Sequence, residues 1–289
     1  MNGRLIVNHY LVSDKFNGIY AGLSSAAEKA GARLEMMTNA QALSALMHNS
    51  LTPENTDFVL FWDKDLYLAQ MLEKKGLRLF NSARAVELCD DKAKTFIELE
   101  SAGIRQPRTI PAPFTFSNIS RDDKAFFIEE AELLGYPLVV KECFGSFGQQ
   151  VYLVKNEGEL LKTVSALGAK PFIMQEFIAS SAGRDIRINV VGNEAVSAML
   201  RYSENGDFRS NLTIGGKSQP YEASKEQKYL AVKACHALGL DFAGVDVMFG
   251  ENDEPIICEV NSNPHFVTTL ECTGIDLAEL IIDYIGRVL

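Results

Sequence analysis

Three oxygen-bearing side chains lie within a stretch of sequence that otherwise has the pattern of two buried strands. Asp246 lies inside the apolar run 244–249. Glu259 and Asn261 stand two residues apart where a second run, 255–260, ends, so both lie on one face of a predicted β-hairpin. Carboxylates and an amide carbonyl suit a hard cation such as Mg²⁺. A solvated sheet face has the same pattern, but the apolar flanks favour burial, where unpaired carboxylates are costly.

A lysine and a glycine-rich loop mark a second place where anion binding is expected. Lys141 ends the apolar strand 136–141, and the loop 145–148 leads to another strand at 151–154. Such a strand, loop and strand can form a flap whose backbone N–H groups fold over phosphates, with Lys141 reaching the same phosphates as a point charge. An ordinary hairpin with a surface lysine has the same pattern, and the residues alone leave both interpretations open.

Cations and amides recur on the strands that follow. Alternation places Asp185, Arg187 and Asn189 on one face of a strand, and the next strand, 195–201, ends on Arg201. Each arginine alone is typical of a solvated strand. Several such groups near the acidic residues favour a polyanion held between them.

The N-terminal part of the chain predicts a small parallel-sheet lobe. Apolar strands alternate there with amphipathic helices, which is the pattern of such a lobe. The expected strands are 5–7, 33–37 and 57–62, and the expected helices are 19–30 and 66–75. The turn after the first strand lacks a GxGxxG motif, so we expect no dinucleotide site there.

Two α+β lobes are expected to follow. A Pro-rich connector at 106–113 breaks the helical pattern, and Asp90 or Asp91 is a candidate N-cap within the helical stretch that precedes it. The expected helices are 82–103, 125–134, 222–238 and 277–288, and an apolar strand is expected at 171–178. The chain is therefore predicted to be α/β (α+β), with domains at 1–88, 89–176 and 177–289.

The composition limits the classes of partner. Hydrophobic residues make up 47% and charged residues 23% of the 289 residues, which is typical of a globular protein. A net charge of −10 argues against binding to nucleic-acid phosphates. No apolar run approaches the roughly 20 residues of a membrane helix, and the N-terminus does not resemble a signal peptide. We therefore predict a cytoplasmic protein with no nucleic-acid or membrane partner. The five scattered cysteines predict buried free thiols.

The order of these motifs closely resembles that of the ATP-grasp ligases of the RimK type, the α-L-glutamate ligases. The resemblance covers residues 80 to 289. It is carried by Asp91-Lys92, Val139-Val140-Lys141, the glycine flap, Gln175-Glu176-Phe177-Ile178, Asp185-Ile186-Arg187, Phe208-Arg209-Ser210-Asn211-Leu212, Gly215-Gly216, Ala243-Gly244-Val245-Asp246 and Glu259-Val260-Asn261. It implies an ATP-grasp fold, in which a parallel-sheet N-terminal lobe precedes two α+β lobes that clamp ATP.

The resemblance also implies roles for individual residues. Those that it places around ATP are Lys92, Lys141, Ser146, Gln175, Glu176, Phe177, Ile178, Asp185, Arg209 and Asn211. Asp246, Glu259 and Asn261 would bind Mg²⁺ or Mn²⁺, as a pair of ions. Arg201 and Arg187 are assigned to the transferring phosphoryl or acyl oxygen.

The implied reaction runs in two steps. A substrate carboxylate attacks the γ-phosphate of ATP to give an acylphosphate, and an amine then displaces phosphate to give an amide, so positioning and electrostatics carry the catalysis. We expect a ligase that adds glutamate or another amino acid to a peptide, a protein tail or a small amine. A small-metabolite ligase and a non-catalytic ATP-binding regulatory module are the alternatives. Family members are often dimers or tetramers, so a homodimer or a homotetramer is also implied.

Two departures from the family pattern concern the flap and the segment after the last metal ligand. Gln150 stands where the family usually has a third glycine, which affects the backbone freedom of the flap. In the segment 262–266, where many members have a Pro-Gly pair, this chain has His265 and Phe266 after Pro264. They either shape the acceptor pocket or form a packed loop.

Overall fold

The N-terminal lobe contains a parallel sheet, as predicted. A computed structural model of the chain describes residues 1–117, 119–145, 148–210, 212 and 215–289. The first sheet has the strand order β2-β1-β3-β4. Its strands are β1 (Asn2–Val7), β2 (Arg33–Thr38), β3 (Phe58–Trp62) and β4 (Leu79–Phe80), and its helices are α1 (Asn17–Lys29), α2 (Asn39–Met47) and α3 (Leu66–Lys74). β3 is buried at every position because helices cover both faces of the sheet.

The single helix predicted over 82–103 is wrong, because the segment forms α4 (Ala83–Asp90) and α5 (Lys92–Ser101). Asp91 between them has an extended backbone, with φ −97° and ψ 108°. Its carboxylate accepts hydrogen bonds from the backbone N–H groups of Ala93, at 2.9 Å, and Lys94, at 3.4 Å. Asp91 is therefore the N-cap of α5, which confirms one of the two predicted caps. The break leaves Lys92 in the first turn of α5.

The central lobe has its own sheet and its own core. The sheet is antiparallel, with the order β5-β8-β6-β7, and contains β5 (Thr109–Pro111), β6 (Leu138–Glu142), β7 (Val151–Val154) and β8 (Phe172–Glu176). Helices α6 (Ala125–Leu134) and α7 (Glu157–Leu167) pack on it. The sequence pattern did not predict α7, which begins after the N-cap Asn156. β6 and β7 are joined by the predicted flap loop.

The third lobe is built on a five-stranded antiparallel sheet with the order β11-β10-β9-β12-β13. Its elements are β9 (Arg184–Val191), β10 (Glu194–Tyr202), β11 (Lys217–Pro220), α8 (Lys225–Leu238), β12 (Phe242–Phe249), β13 (Pro255–Asn261), α9 (Val267–Thr273) and α10 (Leu277–Val288). Both predicted hairpins, β9–β10 and β12–β13, are confirmed. One face of the sheet packs on α8, and α4 and α5 contribute Leu88 and Leu99 to the same core. The domain boundaries given above stay a prediction.

The N-terminal and third lobes share a second core. Trp62 of β3 stacks on Phe242 of β12 with ring centroids 5.6 Å apart, and Phe266 meets the same indole edge-on at 5.7 Å. Asn81 is fully buried between the lobes and donates to the carbonyls of Phe242 and Ser262, both at 2.9 Å. Its oxygen accepts from the backbone N–H groups of residues 241 and 242. Within the described parts of the chain, no helix has both the length and the apolar character needed to cross a membrane.

Candidate functional site

A cleft between the central and third sheets brings together most of the residues predicted to surround a nucleotide. Those that line it are Lys92, Lys141, Gln175, Glu176, Phe177, Ile178, Asp185 and Arg209, and Glu259 joins them. Ser146 and Asn211 lie outside the described residues. The cleft thus collects side chains from α5, β6, β8, β9 and β13, which are far apart in the sequence.

One end of the cleft is apolar and is formed where β8 leaves the central sheet. The carboxamide of Gln175 faces away from solvent and donates to Thr109 Oγ1 at 2.8 Å. The Glu176 carboxylate accepts a hydrogen bond from the Arg108 guanidinium at 3.2 Å, which fixes the position of this carboxylate. Phe177 packs edge-on against Phe208 with ring centroids 6.2 Å apart. Flat aromatic walls of this kind suit a planar heteroaromatic ring.

The other end of the cleft is cationic and meets the flap. Lys92 Nζ donates to the carbonyl of Gly145 at 3.1 Å, and Arg209 Nη1 donates to the carbonyl of Gly148 at 2.7 Å. Lys141 is only 9% exposed, and its Nζ lies 3.8 Å from Cys258 Sγ. Among the described residues no carboxylate lies within 4.0 Å of this ammonium group. A buried cation without a counter-ion is costly, so this end of the cleft is suited to an anion.

The three predicted metal ligands lie together on the β12–β13 hairpin. Asp246 is the register partner of Glu259, and Asn261 is the partner of Gly244. Opposed carboxylates repel each other unless cations lie close to them, and the Asp246 carboxylate is already paired with Arg187 and Arg201. Lys92 Nζ is 4.0 Å from Glu259 Oε1, at the edge of ion-pairing distance. The oxygen donors therefore fit a hard divalent cation.

Asn261, the third predicted metal ligand, carries an uncharged amide. Within the described ranges, no group of three or more His, Cys, Asp or Glu side chains is placed to hold a metal ion. Two carboxylates and one amide match a cation that shares its remaining positions with water and phosphate oxygens.

Two buried arginines connect Asp246, a predicted metal ligand, with Asp185, a predicted nucleotide-binding residue. Arg201 donates to both oxygens of Asp185, at 2.7 and 2.6 Å, and to Asp246 Oδ1 at 2.9 Å. Arg187 donates from Nη2 to Asp246 Oδ2 at 2.9 Å, and its Nε contacts Oδ1 of the same carboxylate. Burial alone would raise the pKa of Asp246, but the two guanidinium groups lower it overall.

The glycine of the AGVD motif makes room for this network. A Cβ atom at Gly244 would lie 2.9 Å from Pro264 Cβ and 3.0 Å from Arg187 Nη1. The predicted alternation placed Asp185 and Arg187 on one face of β9, but it could not predict that Arg201 and Asp246 from the flanking strands would neutralise them. The pairing of strands, and not the pattern within one strand, determines these contacts.

Residues 89–285 match the family model of the RimK-like ATP-grasp domain. The chain belongs to the RimK-like ATP-grasp family. The match begins at the end of α4 and includes the elements that line the cleft.

Several curated relatives of this RimK-like protein are named as ligases or synthases. It is 34% identical over 224 residues to β-citrylglutamate synthase B of Danio rerio, and this match covers 77% of the chain and 54% of the relative. It is 32% identical over 255 residues to human N-acetylaspartylglutamate synthase A, with 88% and 63% covered. It is 35% identical over 224 residues to a probable α-L-glutamate ligase of Vibrio parahaemolyticus, with 76% and 71% covered. The chain thus spans 54% and 63% of the two synthases, which is less than two thirds of either.

Solved structures share the fold. A RimK-domain ATP-grasp protein from Sphaerobacter thermophilus superposes with a TM-score of 0.73 at 20% identity, covering 98% of this chain and 99% of that one. The D-alanine–D-alanine ligase of Bacillus anthracis, solved in complex with ATP, gives a TM-score of 0.74 at 19% identity, covering 100% and 98%. The predicted ATP-grasp fold is confirmed.

Sequence reasoning missed some residues of the cleft. Met248 and Cys258 also line it, and so does Gln150, which was predicted to belong to the flap. Met248 could have been found, because it stands two residues after Asp246 on β12, whereas Cys258 was regarded only as a buried free thiol. All five cysteines are free, as predicted, but only Cys89, Cys143 and Cys235 are buried, whereas Cys258 and Cys272 are partly exposed. Phe266 is 2% exposed and belongs to the shared core, which favours the packed-loop alternative for that residue.

Proposed function

We propose that the chain is an ATP-dependent, ADP-forming ligase that joins a carboxylate to an amine through an acylphosphate. The observation that carries the proposal is the arrangement of the cleft, in which the cations Lys92, Lys141 and Arg209 surround one end and Glu259 stands among them. Such an arrangement suits a triphosphate bridged to a carboxylate by a divalent ion. The family membership supports the same reaction class.

Within this proposal the cleft residues have separate tasks. Adenine lies against the segment from Gln175 to Ile178 and the ribose lies near Asp185, while the two lysines and Arg209 hold the phosphates. Ser146 and Asn211 keep their predicted roles at the triphosphate. When ATP enters, its phosphate oxygens take over Lys92 and Arg209 from the flap carbonyls of Gly145 and Gly148, since a charged acceptor binds a cation more strongly than a carbonyl does.

The metal residues and the arginines complete the proposed site. Asp246, Glu259 and Asn261 would hold Mg²⁺ or Mn²⁺, as a pair of ions, and a bound divalent ion supplies neutralisation of the phosphate charge. Arg187 and Arg201 were assigned to the transferring oxygen. Their Nε and Nη2 atoms already bind carboxylates, so we propose that they act there through Nη1 and otherwise fix Asp185 and Asp246 in place.

The names of the relatives guide the choice of substrates. Two of them are named for products in which glutamate is joined to citrate or to N-acetylaspartate. We propose glutamate or another amino acid as the amine, joined to a small acid or to the end of a peptide. The names favour the small-metabolite alternative over a protein tail. A homodimer or a homotetramer stays a prediction.

The test is ADP release from ATP with hydroxylamine present as a trap. The assay uses citrate, N-acetylaspartate and acidic dipeptides as carboxylates, with and without Mg²⁺. We expect Mg²⁺-dependent ADP release and a hydroxamate from one of these acids, because hydroxylamine intercepts an acylphosphate. Tight ATP binding without ADP or hydroxamate in any mixture would argue instead for a non-catalytic module.

A further inference from the structure

One buried carboxylate in the N-terminal lobe has no cationic partner among the described residues. Asp63 directly follows β3 and is 6% exposed. Its oxygens accept from Asn8 Nδ2 at 3.1 and 3.4 Å and from the backbone N–H of Lys64 at 2.7 Å. The Lys64 ammonium group contacts Asp90. In the described part of the chain, no lysine, arginine or histidine nitrogen lies within 4.0 Å of the Asp63 carboxylate.

A second acceptor without a partner lies beside it. Asn263, on the segment after β13, donates from Nδ2 to the backbone carbonyl of Asp63 at 3.1 Å. Its Oδ1 atom is buried and has no hydrogen-bond partner among the described residues. The carboxylate has N–H donors but no counter-charge, and the amide oxygen has no donor, so the pair leaves a place for a cation with several N–H groups. Burial raises the pKa of Asp63, as expected for a carboxyl group whose counter-charge is missing.

The position in the fold favours a ligand site. In the order β2-β1-β3-β4, the chain leaves β1 toward one side of the sheet and returns on the other, so the crevice of this doubly wound sheet lies beyond the carboxyl ends of β1 and β3. Val7 and Trp62 are register partners at these ends, and Asn8 and Asp63 follow them.

This crevice is also close to the proposed site of acyl transfer. Asn263 lies two residues after Asn261, a Cα separation of at most about 7 Å. Asp63 touches Asn263, so a group held between them is within reach of an acyl group bound at the metal residues. The loop over the crevice exposes its side chains, and Tyr10 is 83% exposed.

We propose that Asp63 and the Asn263 carboxamide oxygen bind the ammonium group of the amine substrate at this crevice. The inference rests on the proposed ligase function and assigns its amine site. The ammonium group supplies the positive charge that Asp63 lacks and a donor for Asn263. A lone metal ion suits the place less well, because the Asn8 amide already occupies part of the carboxylate with N–H donors.

The test separates activation of the acid from transfer to the amine. Hydroxylamine accepts the acyl group without the ammonium site, so Asp63→Asn should retain hydroxamate formation. The same variant should raise the KM for L-glutamate by about tenfold or more, since it loses a charge-assisted hydrogen bond. The matched control is Asp65→Asn, two residues away at the N-cap of α3, which should leave both quantities unchanged.

Asn263→Leu provides a second variant if Asp63→Asn does not fold. It removes the unpaired oxygen and should also raise the KM for L-glutamate while hydroxamate formation persists. An unchanged KM in both variants would overturn the amine site, and so would an equal loss of hydroxamate and amide in variants with wild-type circular dichroism. Absence of hydroxamate from the wild type would instead refute the ligase function, and the amine site with it.

Discussion

Of the two carboxylates predicted to bind the metal, Glu259 has the weaker ion pairing with cations of the protein. Its side chain is 34% exposed, and its nearest cation, Lys92, stands at 4.0 Å. We expect Glu259→Gln to reduce Mg²⁺-dependent ADP release on the order of 10²-fold or more, because the lost carboxylate would hold the divalent ion that neutralises the transferring phosphoryl group. The assay is ADP release across a Mg²⁺ titration. Glu254→Gln, at a surface pair with Arg105 on the same hairpin, is the control.

A folded Glu259→Gln protein with wild-type turnover would contradict the metal assignment. Thermal unfolding of the variant should differ little from that of the wild type, since the substitution preserves shape at a partly exposed position.

Lys141 is the clearest phosphate candidate, because it is buried and no carboxylate of a described residue lies within 4.0 Å of its ammonium group. We expect Lys141→Ala to weaken ATP binding about 10- to 100-fold, the range expected for one charged hydrogen bond. Equilibrium binding of ATP in the presence of Mg²⁺ measures this change. Lys162→Ala, on an exposed position of α7, should bind ATP as the wild type does. Equal affinities for all three proteins would move the phosphate site elsewhere.

At the scale of single residues, the sequence predicted which side chains would lie near one another. It did not predict which of their atoms would already form hydrogen bonds or ion pairs within the protein. Lys92, Lys141 and Glu259 come from three elements, and the family pattern brought them together correctly around one cleft. The bond between Glu176 and Arg108 and the pairing of Arg201 with Asp185 depend on neighbouring strands. Asp63 was not predicted as a site residue, because its lack of a cationic partner can be recognised only when the positions of the surrounding lysines and arginines are known.

Three strands of the third sheet are joined by the buried charges of β9, β10 and β12. Asp246 accepts from both arginines, so Asp246→Asn leaves two guanidinium groups with one carboxylate, Asp185. Removing one member of a buried charge network costs about 3–5 kcal/mol. For Asp246→Asn we expect the free energy of unfolding at pH 7 to fall by this amount, as measured by urea unfolding. Asp253→Asn, an exposed carboxylate on the same hairpin, should change stability little.

The pH dependence of this difference follows from the direction of the pKa shift. The arginines lower the pKa of Asp246 in the folded state, so its stabilising contribution is fully present above its unfolded pKa of about 4 and is lost as the pH falls through the lower folded value. The stability gap between the wild type and Asp246→Asn should therefore shrink below pH 4. A gap that stays constant from pH 7 to pH 3 would contradict this assignment.

At the scale of elements, periodicity and caps predicted most helices and strands, and the failures have physical causes. Asp91 was predicted as a possible N-cap, but the continuous helical pattern around it did not predict that α4 and α5 are separate helices. The pattern also missed α2, although Thr38 and Gln41 form a capping box at its start. β5 has three residues and β11 has four, too few for alternation to be recognised.

The whole molecule divides into two packing units, and these units do not follow the order of the lobes along the chain. The core shared by the first and third lobes includes Leu5, Leu60, Phe242 and Ile282, whereas the central lobe packs its residues 127–174 among themselves. Residues far apart in sequence thus form one unit, and the central sheet forms another. The sequence pattern could not predict this division, because apolar faces do not reveal which other face will cover them.

Asn81 tests this division, because its side chain satisfies four backbone groups of the third lobe from a position in the first. We expect Asn81→Ala to destabilise the joined unit by at least about 2 kcal/mol, since buried backbone groups at residues 241, 242 and 262 lose their partners. In hydrogen exchange, amides of β1 and β12 should exchange faster while those of β6 and β8 keep the wild-type rate. Equal acceleration in all three sheets would mean that the chain unfolds as a single unit. The central lobe would then not be an independent unit of stability.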